Sequence, residues 1–221
     1  MAVEHTARVE RVFEHGPQTR SLFLRLAVPL PFVPGQFISC LLPAEHGVLT
    51  RPYSIASDPE SPTLIELVVD LVPGGPGSHH LFSLTAGAAI RYTGPWGTFT
   101  LEEAPRTETI FVADGTGIAP IRPMLRRALA TAVRPVTLLY GHTAAAPLLF
   151  ERELAAPRPG YTLVTVPSAA LVAEVEGRYV AADAERSRQF YVCGVGPVVH
   201  TLRDRLRGAG YERHAVRYEK W

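Results

Sequence analysis

The chain changes its hydrophobic pattern once, near "EEAPRT" at residues 102–107. Before that point apolar and polar residues alternate in short runs. These are "ARVERVFEH", "SLFLRLAV", "GQFISCLLP", "RPYSIAS", "LIELVVDLV" and "AAIRYTGPWGTFTL". Pro and Gly break the runs at "PLPFVPG" and "PGGPG". Such punctuation between period-two runs predicts an antiparallel barrel or sandwich. One helix is expected in this half, over "SHHLFSL", with Ser78 as its N-cap. After the change, the apolar runs "TETIFVAD", "PVTLLYG", "TLVTVP", "QFYVCG" and "HAVRYEKW" alternate with helical stretches. Those stretches are "IAPIRPMLRRALA", "PLLFERELA" and "PVVHTLRDRLRGAG". Pro120 and Pro123 fit the first of them only in or near its first turn. A β-α-β alternation predicts a parallel sheet covered by helices. The expected architecture is a two-domain chain, an antiparallel β-barrel over residues 1–103 and an α/β parallel-sheet domain over residues 104–221.

Composition removes several classes of function. Lys plus Arg is 22 and Asp plus Glu is 21, leaving a net charge of +1. That balance does not suit a protein that binds nucleic acid through phosphate neutralisation. Cys40 and Cys193 lie far apart and cannot alone ligate zinc or an iron–sulfur cluster. Two separate thiols fit a reducing compartment, so a cytoplasmic location is expected. The opening "MAVEHTARVERVFEH" has no apolar core of a secretory leader. No run approaches a membrane span. A monomer is expected, and no metal.

Four stretches and the last three residues carry chemistry. In "RPYSIAS", a strand would place Arg51 and Tyr53 on one face and Ser54 on the other. A fixed cation, an aromatic ring and a hydroxyl side by side suit an anionic, flat, hydrogen-bonding ligand. In "GGPGSHH", Gly77 and Ser78 would offer backbone N–H groups to an anion at a helix start. His79 and His80 face different ways on a helix, and no third metal ligand stands nearby. In "DGTGIAP", Gly115 and Gly117 would let backbone approach an anion between the first strand and first helix of a β-α-β unit. A tight strand–helix turn without a ligand is the alternative. In "YVCGVGP", Cys193 and Gly194 would stand at the carboxyl edge of the same sheet. A buried Cys serving only as a small core side chain is equally open. Trp221 fills a core gap or covers a flat ligand, with Glu219 nearby as a proton-handling group. There is no G-x-S-x-G and no H-E-x-x-H.

The order "RPYS", "GGPGS", "GPWGTF", "GTGIAP", "YVCG" and a terminal Glu-x-aromatic resembles the ferredoxin–NADP reductase superfamily. The resemblance runs from about "PFVPGQF" to Trp221. It implies a flavin-binding barrel, a nicotinamide-binding α/β domain, and FAD with NAD(P)H as cofactors. By that resemblance Arg51 holds the flavin phosphate, Pro52 shares the motif, Tyr53 stacks on the ring, and Ser54 reaches flavin N5. Gly75, Gly77 and Ser78 cap the pyrophosphate. Gly115, Thr116 and Gly117 bind the dinucleotide. Cys193 and Gly194 stand beside nicotinamide C4, Trp221 lies over the flavin, and Glu219 is the C-terminal acid. The chain departs from the family pattern at Asp114, where a small residue usually precedes G-T-G. That acid would hydrogen-bond the loop or bias the pocket against negative charge. It departs again at Ser168-Ala169, where members that use NADP often carry Ser-Arg. Both departures lean toward NADH, with Arg178 as an alternative source of a cation. The implied activity is hydride transfer from NAD(P)H to bound FAD, then electron transfer to a separate ferredoxin, flavodoxin or oxygenase partner. A reductase that releases free flavin, or a flavin-binding subunit of a larger redox complex, are the alternatives.

Overall fold

The computed structural model describes residues 3–44, 46–101, 107–143 and 148–220. Two compact units emerge, Met1–Thr100 and Leu101–Trp221. The expected boundary at 102–107 falls mostly outside the described residues.

In the first unit the alternating runs become six strands: β1 (His5–Glu14), β2 (Thr19–Leu26), β3 (Phe37–Ala44), β4 (Gly47–Ser54), β5 (Leu64–Asp70) and β6 (Ala89–Trp96). They pair antiparallel in the order β4-β3-β6-β1-β2-β5. An isolated antiparallel bridge, Ile55 to Leu67, joins the segment after β4 to β5, so the two ends of the sheet meet and close a barrel. Closure leaves no long open edge. The inward residues build one core that includes Leu22, Leu24, Ile38, Cys40, Leu42, Ile65 and Leu67, all at most 1% exposed. Burial of about 2 kcal/mol per such aliphatic side chain holds the barrel.

The helix α1 (Pro76–Ser83) starts earlier than the sequence suggested. Its N-cap is Gly75 and Pro76 takes the first turn, so Ser78 is not the cap. Proline suits that position because its fixed φ is helical and the missing N–H has no intrahelical partner there. The Ser78 hydroxyl instead accepts from Val72 N at 3.0 Å and donates to Gly75 O at 3.0 Å, tying the preceding loop to the helix.

In the second unit the strands are β7 (Thr109–Asp114), β8 (Val136–His142), β9 (Tyr161–Pro167), β10 (Gln189–Gly194) and β11 (Val216–Lys220). All pair parallel, in the order β11-β10-β7-β8-β9. β7, β8 and β10 are buried almost throughout, as the continuous apolar runs predict for central strands of a covered sheet. The helices are α2 (Ile118–Thr131), α3 (Glu151–Leu154), α4 (Leu171–Val175) and α5 (Val198–Gly208). "PLLFERELA" therefore gives only one turn of helix. α4 and the π-turn after it, Glu176–Val180, were not anticipated. Pro123 lies inside α2, beyond its first turn, and is buried. Arg122 and Arg126 both bond Glu153, fastening α2 to α3.

Chain order and spatial order part company at β7. The chain winds outward through β8 and β9, then returns to β10 on the other side. The carboxyl ends of β7 and β10 are thus the switch point, where open α/β sheets leave a crevice for ligands.

Candidate functional site

The barrel brings two of the sequence-derived elements into contact. Arg51 stands opposite Cys40 and Tyr53 opposite Ile38, both core residues, whereas Ser54 stands opposite Phe37 on the other face. The alternation expected for "RPYS" is present. A Cβ on Gly77 would lie 3.1 Å from Arg51 Cγ and 3.3 Å from Leu42 Cδ1. The bare backbone of α1's first turn is what lets the Arg51 stem pass. Arg51 is exposed, and its guanidinium donates to Thr50 O at 2.9 Å. Pro52 is exposed beside it, opposite Ser39. Tyr53 is half-buried against the core, and burial pushes its hydroxyl up to about 12.

Ser54 is only 6% exposed, and its Oγ has no hydrogen-bond partner among the described residues. A buried unpaired hydroxyl costs about 1–3 kcal/mol, so the group is placed at a stability cost.

The switch point of the second unit is equally constrained. Gly115, Thr116 and Gly117 form a 3₁₀ turn that runs directly into α2. Gly115 has φ +54° with open space where a Cβ would stand. Gly117 has none: a Cβ there would lie 2.2 Å from the Cys193 carbonyl oxygen and 2.6 Å from Gly194 Cα. The turn after β7 and the end of β10 therefore meet backbone to backbone. Tyr140 Oη donates to Gly115 O at 3.1 Å and steadies the turn. Cys193 is 1% exposed, in register with Ala113 on one side and Glu219 on the other.

Burial pushes the Glu219 carboxyl up to about 7, and its Oε2 is buried without a hydrogen-bond partner among the described residues. The folded protein resists ionising this group more than the unfolded chain does. Its stabilising contribution is full below the ordinary value of 4.5, falls as pH rises through about 7, and is lost above it. Glu219→Gln is expected to melt a few degrees above wild type at about pH 8.5 and level with it at about pH 4.5. Thermal melts across that range check the crossing. Trp221 lies outside the described residues.

One pairing escaped the sequence reading. Ser168 Oγ donates to Asp114 Oδ1 at 2.5 Å, joining the turn after β9 to the end of β7. Asp114 and the Ser168-Ala169 dipeptide each stood out against the family pattern. Nothing in the linear spacing signalled that they meet.

Comparison with known proteins supplies the chemistry that each unit serves. Residues 7–101 match the family model described as "Oxidoreductase FAD-binding domain", and residues 111–204 match "Oxidoreductase NAD-binding domain". The two matches define an FAD- and NAD(P)-dependent oxidoreductase. A "Ferredoxin--NADP reductase B" of Sorangium cellulosum is 32% identical over 214 residues, covering 86% of this chain and 85% of that protein. The chain belongs to the ferredoxin–NADP reductase superfamily. The reductase component of a phenol 2-monooxygenase from a Pseudomonas species is 33% identical over 162 residues, which span 71% of this chain and 45% of that protein. Among solved structures, a cytochrome P450 reductase from Amycolatopsis superposes with TM-score 0.84 at 30% identity, covering 99% of this chain and 69% of that one. A ferredoxin NADP+ reductase from Neisseria gonorrhoeae, solved with bound FAD and NADP, shares the fold at TM-score 0.85 and 20% identity, covering 100% of this chain and 99% of that one. No helix among the described residues is long and apolar enough to cross a membrane.

Proposed function

We propose that the chain is the flavin-dependent step of an electron-transfer system, taking reducing equivalents from NAD(P)H and delivering them to a separate ferredoxin or oxygenase component. The relatives named above are, by name, a ferredoxin reductase and a monooxygenase reductase component, and the two cysteines of this sequence are too few to ligate an iron–sulfur cluster. Two buried cysteines outside any disulfide also fit a reducing, cytoplasmic setting.

The observation that carries the reading is the unpartnered Ser54 Oγ. A buried hydroxyl with no protein partner fits a bound ring nitrogen, and the residue sits three positions after the one free to meet a phosphate. Arg51, with its planar guanidinium beside the first turn of α1, suits a pyrophosphate. The N–H groups of Gly77 and Ser78 lie in that first turn, where helices leave donors unsatisfied. Tyr53 offers ring surface between the two. These residues would hold FAD through its phosphate, ring and N5. When bound, FAD supplies the chemistry that joins a two-electron hydride donor to one-electron acceptors.

In the second unit, the Gly115–Gly117 turn and the N-terminus of α2 would take the dinucleotide pyrophosphate. Cys193 and Gly194 would flank the nicotinamide. Glu219, half-protonated near neutral pH, would hold or release a proton at its carboxyl oxygen.

Ser54→Ala is expected to slow reduction of the bound flavin by NADH about tenfold, the worth of one hydrogen bond made in the reaction. The melting temperature should hold or rise, because an unpaired hydroxyl is removed. Anaerobic stopped-flow absorbance together with a thermal melt separates the two effects. The acceptor is tested by supplying ferredoxin, flavodoxin or free FMN to the NADH-reduced protein. Faster oxidation by a protein carrier, with FAD retained through gel filtration, supports the proposal. Release of the flavin favours the free-flavin reductase.

A further inference from the structure

We propose that Asp114 selects NADH over NADPH, its carboxylate receiving the adenosine ribose hydroxyls and repelling a 2′-phosphate. The inference rests on the nicotinamide-dependent reading above and names the residue that would discriminate within it.

Strand order fixes the direction of the dinucleotide. With its pyrophosphate on the Gly115–Gly117 turn and its nicotinamide toward Cys193 on β10, the adenosine half must run the other way, over the ends of β8 and β9. Adjacent strands are about 4.8 Å apart, so a ribose one linkage from the pyrophosphate falls within one or two strands of β7.

The Asp114 carboxylate is turned to that side. Its Oδ1 accepts from Ser168 Oγ at 2.5 Å. The same oxygen would be 2.9 Å from a Cβ on Gly141, at the end of β8. On the β10 side, a Cβ on Gly194 would be 2.7 Å from Asp114 Cβ. A side chain on either neighbouring strand end would crowd the acid, and both strand ends are glycine. Ser168 spends its proton on Asp114 and has none left to donate to a phosphate. Arg178, the candidate replacement cation, is engaged with Glu174.

The chemistry then sorts the two nucleotides. An ionised carboxylate only accepts hydrogen bonds, and a ribose diol offers two donors. A 2′-phosphate brings roughly −1.5 to −2 charges and acceptor oxygens only. In a half-buried setting that repulsion is weakly screened. Burial already raises the Asp114 carboxyl above its ordinary value, with the Ser168 bond opposing the rise.

The test uses the FAD-loaded protein at about pH 8. Calorimetric titration compares 5′-AMP with adenosine 2′,5′-bisphosphate, and steady-state kinetics compare NADH with NADPH. Wild type is expected to bind AMP more tightly and to favour NADH at least about tenfold in kcat/KM. Asp114→Asn keeps the shape and removes the charge, and should shrink that preference about tenfold while bisphosphate binding improves. Ser168→Ala keeps the charge and should keep the preference. Asp114→Ser repeats the reading if the Asn variant does not fold, and the wild-type titrations stand without either. Equal use of both nucleotides by wild type, or an unchanged ratio in Asp114→Asn, overturns this assignment alone. FAD that stays oxidised with both nucleotides overturns the parent reading instead.

Discussion

Arg51→Ala is expected to raise the dissociation constant for FAD about a hundredfold, so that the purified variant emerges largely colourless. The cation is exposed, and among the described residues its guanidinium bonds the adjacent Thr50 carbonyl. Removing it therefore takes little from the barrel itself. What it takes is a charge-assisted, bidentate contact to phosphate, worth about 1.5–3 kcal/mol, or roughly one to two factors of ten. Arg51→Lys keeps the charge and loses the fork, and should fall between the two. Fluorescence titration of the apoprotein with FAD reads all three. An Ala variant that retains wild-type affinity would show that the phosphate is held elsewhere.

Gly117→Ala is expected to be the most damaging single-methyl change in the second unit. The added carbon would stand 2.2 Å from the Cys193 carbonyl oxygen, and that atom belongs to the backbone of a central strand. It cannot rotate aside, so the turn or the end of β10 must move. Overpacking of this kind costs about 1–3 kcal/mol, which for a chain of this size lowers the melting temperature by several degrees. The turn also lies where the dinucleotide is proposed to bind. NADH-dependent reduction should thus fall steeply while FAD binding is retained. Gly115→Ala is the control. It meets nothing within 4 Å and carries only the strain of φ +54°, about 1–2 kcal/mol. A Gly117→Ala protein as stable and active as that control would mean the close approach is relieved without cost.

Much of the fold was legible because the two halves obey different periods. Runs such as "SLFLRLAV" and "TETIFVAD" state their burial directly: one alternates, the other is apolar on both faces. The barrel's closure was not legible, since the Ile55–Leu67 bridge depends on how two distant segments meet. The α1 cap was misplaced because Ser78 has the right chemistry for a cap, whereas Pro76 fixes the start two residues earlier. α4 was missed because "LVAEV" is a single turn and a half, too short to show a helical period.

The candidate site divides in the same way. Arg51, Tyr53 and Ser54 could be placed by alternation alone, because faces of a strand follow from counting. Gly117 carries a second constraint that the sequence does not show. It reads as a residue that admits an anion, and its tightest constraint is the carbonyl of Cys193. The Asp114–Ser168 bond joins residues 54 positions apart and depends on β8 lying between β7 and β9. Only strand order reveals it.

The most direct test is anaerobic mixing of the FAD-loaded protein with one equivalent of NADH per flavin, followed by visible absorbance. The flavin band should bleach in a single turnover and return when oxidised ferredoxin is added, with FAD still bound. A protein that takes up no FAD, or whose bound FAD keeps its oxidised spectrum with both NADH and NADPH, would contradict the account.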